Sequence, residues 1–273
     1  HSNTCSTMKK GLVKMIVWGL SLLAVIVLFG FVNQQRKAAF CNENKVSILG
    51  DSSVQFIVEE DVLDLLHNKG IRIDSVRAAD INLLEIETEI LHHPAVQSAD
   101  VYYNPSGVLC MDIVQRTPLI RVIDSFGESY YIDDQGNYMP LIERFTARVP
   151  VATGAINDPY YKLSMSVKDI IANDSLAARS TTDDLFTFAL AAKRDTFIWA
   201  QLEQVVVHED GDLEMVPEIG PSSVLLGSTQ DLEDKFKRLQ LFYREGLPLV
   251  GWDAYRSLNL KYNSQIICTK NIN

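Results

Sequence analysis

The sequence predicts an α+β fold behind a single N-terminal membrane-spanning helix, on three observations. Met15–Val32 runs for 18 residues without a charge. Beyond it, helical and strand spacings of apolar residues occur in blocks, without the regular strand–helix alternation that builds a parallel sheet. The charge is also divided. Lys9, Lys10, Lys14, Arg36 and Lys37 give residues 1–37 a charge of +5, so the remainder of this −10 chain carries −15, with 20 basic against 35 acidic residues. A body so acidic excludes a nucleic-acid partner, because binding phosphates requires clustered cations.

The first expected element is the span, Leu12 to Val32, behind a tail of residues 1–11. At 1.5 Å per residue its 18-residue core is about 27 Å long, close to the hydrocarbon thickness of a bilayer. A helix also satisfies its own backbone hydrogen bonds, as lipid requires. A signal peptide would have a shorter apolar run and a small-residue cleavage site; here Phe29, Phe31 and Val32 stand at the end. An uncleaved anchor is expected, with its tail in the cytoplasm and the body translocated.

Residues 42–122 read as one domain. Val46–Leu49 is a short strand. Glu59–Lys69 is a helix with Val62, Leu65 and Leu66 in step and Gly70 as its stop. A second helix starts near Asp80, the expected N-cap, and carries Leu83, Ile86 and Ile90. Strands Val96–Tyr103 and Val108–Arg116 flank the turn Asn104-Pro105-Ser106-Gly107. The order is strand, helix, helix, strand, strand.

Residues 123–273 form a second domain, expected to be mainly antiparallel β with helices on one face. Tyr130–Ile132 and Tyr138–Leu141 make a hairpin around Asp133-Asp134-Gln135-Gly136-Asn137. Val149–Thr153 is a strand ended by Gly154, and a helix-prone stretch runs through Asp183–Arg194. Strands Val205–Val207, Leu213–Val216 and Val224–Gly227 precede a helix with Leu232, Phe236 and Leu239 in step, capped by Ser228 or Thr229. Leu258–Tyr262 and Gln265–Thr269 are the last strands.

Candidate chemistry is sparse. Gly50-Asp51-Ser52 and Asp64-Leu65-Leu66-His67 resemble the nucleophile and histidine blocks of an esterase. They are about a dozen residues apart rather than at opposite ends of an α/β domain, so a turn and a helix are the expected reading. An envelope hydrolase with Ser52 as nucleophile is the alternative. His92 and His93 point about 100° apart on a helix and do not share a metal easily; they are expected to meet free helix-end carbonyls or the helix dipole. No cofactor, metal site or catalytic residue is expected. Cys110 and Cys268 leave a disulfide open.

Read in order, these segments resemble the FtsQ/DivIB family of bacterial cell-division proteins. Ile86–Val122 resembles that family's POTRA core, ending in Arg116-Thr117-Pro118. Tyr130–Leu141 resembles its Asp-x-x-Gly hairpin and Val149–Gly154 its Leu-Pro-x-x-x-Gly strand. Val224–Phe242 resembles its Leu-Gly and Lys-x-x-Arg-Leu segment, and Ser257–Lys270 its terminal strand. Asn259 and Lys261 depart from the terminal pattern, and Gln115 from the POTRA ending.

The resemblance implies a non-enzymatic scaffold at the division septum. It would be a single-pass inner-membrane protein with a POTRA domain and a β domain in the periplasm. It implies FtsB/FtsL-like partners, and septal peptidoglycan synthesis proteins as further ones, with no small-molecule substrate. By position it implies partner contacts at Lys261, Tyr262, Ser264, Ile266 and Cys268 on the last strand. A POTRA-containing assembly or secretion component is a further alternative.

Overall fold

The computed structural model describes residues 43–50, 55–73, 77, 80–157 and 165–271, together with residues 18, 19, 21, 23 and 24. Those last five are helical, but the rest of the expected span 12–32 lies outside the described residues. Among the described residues no helix is long and apolar enough to cross a membrane. The chain divides into two compact units, residues 1–50 with 57–114 and residues 51–56 with 115–273.

The first unit contains β1 (Asn44–Leu49), α1 (Glu59–Asn68), α2 (Leu83–Leu91), β2 (Val96–Tyr103) and β3 (Leu109–Gln115), in the expected order. Its sheet runs β1-β3-β2, with β1 parallel to β3 and Asn44 opposite Leu109. The β2–β3 turn closes because Asn104 Oδ1 accepts from the N–H groups of Ser106 and Val108. Val62 and Leu66 of α1, and Ile86 and Ile90 of α2, pack into one core with Leu109, Met111 and Ile113. Each pair is spaced i, i+4, so one face of each helix is buried. Each such side chain contributes roughly 1.5–3 kcal/mol of burial. The start of α2 differs from expectation: Asn82, not Asp80, accepts from Glu85 N–H as the cap, while Asp80 pairs with Arg77. Asn82 is the residue immediately before the helix, and only there does the side chain reach an orphan N–H.

The second unit holds β4 (Pro118–Ile123), β5 (Ser129–Asp133), β6 (Tyr138–Pro140), β7 (Val151–Gly154), α3 (Val167–Ile171), α4 (Asp174–Ala177), α5 (Thr182–Arg194) and α6 (Thr196–Gln201). It continues with β8 (Leu202–Val207), β9 (Leu213–Pro217), β10 (Ser223–Gly227), α7 (Leu232–Leu241), α8 (Leu247–Val250), β11 (Tyr255–Asn259) and β12 (Ile267–Lys270). Nine strands form one sheet, in the order β12-β11-β10-β9-β8-β7-β4-β5-β6. The pairs β4–β7, β7–β8 and β10–β11 are parallel, and the rest are antiparallel. The core joins Leu119, Ile120 and Val122 of β4 to Leu185, Phe188 and Ala192 of α5, and to Phe236 and Leu239 of α7. Phe56 belongs to this unit, its ring edge-on to Tyr131 and Phe145.

Two distant motifs meet in one buried knot. Asp133 is almost wholly buried; it accepts from Arg116 Nη1 at 2.8 Å and from the N–H groups of Gln135 and Asn137. The Arg-Thr-Pro ending thus fastens the Asp-x-x-Gly hairpin. A Cβ at Gly154 would run into the Val207 carbonyl oxygen, so the close approach of β7 to β8 requires that glycine. The cap expected at Ser228 or Thr229 is absent. Asp231 precedes α7 in a left-handed conformation, and the Thr229 hydroxyl turns instead to Asp184.

Candidate docking edge

Among the described residues β12 is a rim of the nine-stranded sheet and pairs only with β11: Asn259 lies opposite Ile267 and Leu258 opposite Cys268. The outer side of such a strand is a row of backbone groups with no neighbouring strand. Alternation sorts its side chains. Ile266 and Cys268 are half-buried against the core, whereas Ile267 and Thr269 are exposed. Burial pushes the Cys268 thiol up from its ordinary pKa.

The five residues expected at this site therefore divide. Cys268 lies on β12 and Ile266 just before it, both directed inward. Lys261, Tyr262 and Ser264 are not on a strand at all, contrary to expectation: β11 ends at Asn259, and these three lie on the β11–β12 turn. The Asn259 side chain ends the strand by accepting from the Lys261 N–H, and Ser264 adopts φ 61°. Tyr262 is about half exposed.

Three neighbours hold this turn. The Leu260 N–H donates to Leu225 O of β10. Arg238 of α7 donates through Nη1 to Tyr262 O at 2.8 Å and Gln265 O at 2.7 Å, and through Nη2 to Leu260 O at 3.3 Å. Its Nε is fixed by Asp234 at 2.9 Å. Lys261 Nζ is paired with Asp212, on the β8–β9 turn, which raises the Lys261 pKa. Its stem passes over Gly227, where a Cβ would come within 2.7 Å of Lys261 Cγ. Lys235, buried on α7, donates to Ser228 O at 2.7 Å, and desolvation lowers its pKa. The Leu-Gly, Lys-x-x-Arg and terminal segments thus converge on one turn.

The sequence places Arg238 in the Lys-x-x-Arg-Leu segment without a role at the site, and marks neither Asp212 nor Ile267 as a site residue. Arg238 carried a usable signal: it lies three residues after buried Lys235 and beside Leu239, on the flank of the buried helix face. Asp212 carried none, since only the fold brings it to Lys261.

The other candidates do not assemble into a site. Ser52 lies outside the described residues, and Asp64 and His67 are exposed on α1. His92 faces Glu89 at 3.7 Å, and His93 Nδ1 accepts from the Ala95 N–H. Burial lowers the His93 pKa. Among the described residues no His/Cys/Asp/Glu group could hold a metal. Cys110 and Cys268 are free thiols.

Residues 117–269 match the family model described as FtsQ/DivIB, C-terminal related, and residues 39–114 match a POTRA-like domain model. The chain belongs to the FtsQ/DivIB family. The cell division protein FtsQ of Rhodothermus marinus is 25% identical over 192 residues, covering 69% of this chain and 65% of that protein. The match therefore spans just under two thirds of the relative's length. The first unit is POTRA-like, and the β-rich unit behind it carries the family's C-terminal pattern.

Proposed function

We propose that this FtsQ/DivIB chain is a non-enzymatic, bitopic scaffold of the division machinery. Residues 12–32 would anchor it in the inner membrane, and the domains at 42–122 and 123–273 would lie in the periplasm at the septum. Trp18 and Leu23, both helical and exposed, suit a lipid-facing segment. Its partners are FtsB/FtsL-like membrane proteins, with septal peptidoglycan synthesis proteins recruited through them.

The observation that carries this reading is the β12 rim. A partner segment laid along it would gain main-chain hydrogen bonds, while alternating side chains select it. Ile267 and Thr269 would meet its side chains, Tyr262 would supply an amphipathic anchor, and Lys261 would favour an acidic partner. Ile266 and Cys268 would act from behind, seating the strand.

The test is binding of the full chain to the periplasmic segment of the FtsB-like protein from the same genome. Tyr262→Ala should weaken it about tenfold or more, as loss of an interface anchor does. Unchanged binding would remove Tyr262 from the site. A fluorescent fusion should form a mid-cell band; an even envelope signal would count against the division role.

A further inference from the structure

We propose that Arg238 is the positioning residue of the docking edge: from α7 it sets the shape of the β11–β12 turn before any partner arrives. This rests on the β12 docking reading and adds a residue that need not touch the partner.

The geometry is specific to a guanidinium. One nitrogen, Nη1, bridges the carbonyls of Tyr262 and Gln265, three residues apart, and Nη2 reaches Leu260 O. Tying carbonyls i and i+3 to one donor fixes the curvature of the chain between them. Ser264 lies inside that interval at φ 61°, a left-handed conformation that a non-glycine residue holds only when its surroundings enforce it. The turn's main-chain carbonyls go to Arg238, while Tyr262 stays about half exposed. Gln265, one of the clamped residues, is two residues before β12, so the clamp also sets where that strand begins to pair with β11.

Arg238 is itself held. Asp234, one turn earlier on α7, fixes Nε, and the side chain is mostly buried. A rigid helix therefore delivers a rigid fork to a turn that would otherwise sample other shapes. Only the fraction of molecules with the turn preset would accept a partner, and apparent affinity falls in proportion to that fraction. Lysine keeps the charge, but its three N–H donors radiate from one nitrogen on a flexible stem, so it does not reproduce the planar fork that divides these three carbonyls between two nitrogens.

The experiment measures association and dissociation rates of the full chain in nanodiscs with the same FtsB-like segment, for Arg238→Ala, Arg238→Lys, Asp234→Asn and Tyr262→Ala. Both Arg238 variants should bind about tenfold more weakly, mainly through slower association, with dissociation nearly unchanged. Asp234→Asn, an exposed change that leaves the guanidinium in place, should give a smaller loss of the same kind. Tyr262→Ala should instead speed dissociation. Hydrogen exchange of residues 260–268 should quicken in the Arg238 variants while α7 and the central strands keep their protection.

Wild-type binding by Arg238→Lys would overturn the inference in favour of plain charge attraction. So would wild-type binding by Arg238→Ala beside a weakened Tyr262→Ala, which would leave the docking reading intact. If every variant binds as wild type, the β12 reading falls and the role of Arg238 falls with it. Should Arg238→Ala lose exchange protection throughout, Asp234→Asn decides: unchanged association there rejects the positioning role.

Discussion

At one rim of the nine-stranded sheet β6 runs for three residues and closes on Pro140, which has no N–H to donate. At the other, β12 runs for four residues without proline. The hairpin ending at Pro140 is locked by the Arg116–Asp133 pair, buried on the acid's side. The turn leading into β12 is held by a guanidinium and a surface ion pair that remain partly reachable by water. Short strands and proline are usual guards against unwanted pairing, and lysine is another; β12 is short and ends on Lys270, but it has no proline. The two rims are thus finished for different ends: one sealed, one kept open and in register.

The comparison can be broken most severely at the sealed rim. Arg116→Ala leaves the Asp133 carboxylate buried beside the hairpin with its cation gone. Removing one partner of a buried pair typically costs about 3 kcal/mol or more. Thermal melting should show it as a fall of roughly 10 °C in Tm. A change near zero would mean that the pair is not the lock.

A smaller effect is expected on the half of the sheet leading to β12, where Tyr243 is buried and donates to Ile219 O at 2.8 Å. Burial pushes its hydroxyl pKa up to about 12, from 10 when unfolded. Folding therefore favours the protonated form, and this stability is complete below pH 10. It is lost as pH rises from 10 through 12, on the order of 2–3 kcal/mol in all. Denaturant titrations at pH 9, 10.5 and 12 should show that slope, and Tyr243→Phe should flatten it.

The smallest effect sharpens the contrast without harming either rim. Asp212→Asn removes the acid that holds Lys261, at a site where ion pairing adds little to folding. Tm should stay near the wild-type value. Association of the acidic FtsB-like segment should quicken two- to threefold, most at low salt, because a like charge has gone from its path. Slower association would show that the tether on Lys261 matters more than the charge it hides.

Much of this was legible in the residues. The turns Asn104–Gly107 and Asp133–Asn137 announce themselves by composition, and Leu232, Phe236 and Leu239 mark α7 by period. The family resemblance, which the domain matches bear out, came from the order of weak motifs. What failed did so for local reasons. Asp80 and Asn82 are both good caps, and only the helix's first turn decides between them. The strand expected over Leu258–Tyr262 is alternating and apolar enough, yet it stops where the Asn259 side chain captures the Lys261 N–H. The parallel pairs β4–β7, β7–β8 and β10–β11 leave little local trace, because a strand's own residues do not encode its neighbour's direction.

One consequence follows from the strand order. From β7 to β12 the strands lie side by side in the sequence in which a ribosome makes them. The surface that would meet a partner is therefore synthesised after every other strand of the sheet, and it cannot form until they have emerged. A product shortened before Ile267 would retain eight of the nine strands and offer β11 in place of β12, giving an abundant but unrecruitable species. Completion of the sheet and competence to assemble would thus be read from the same four residues.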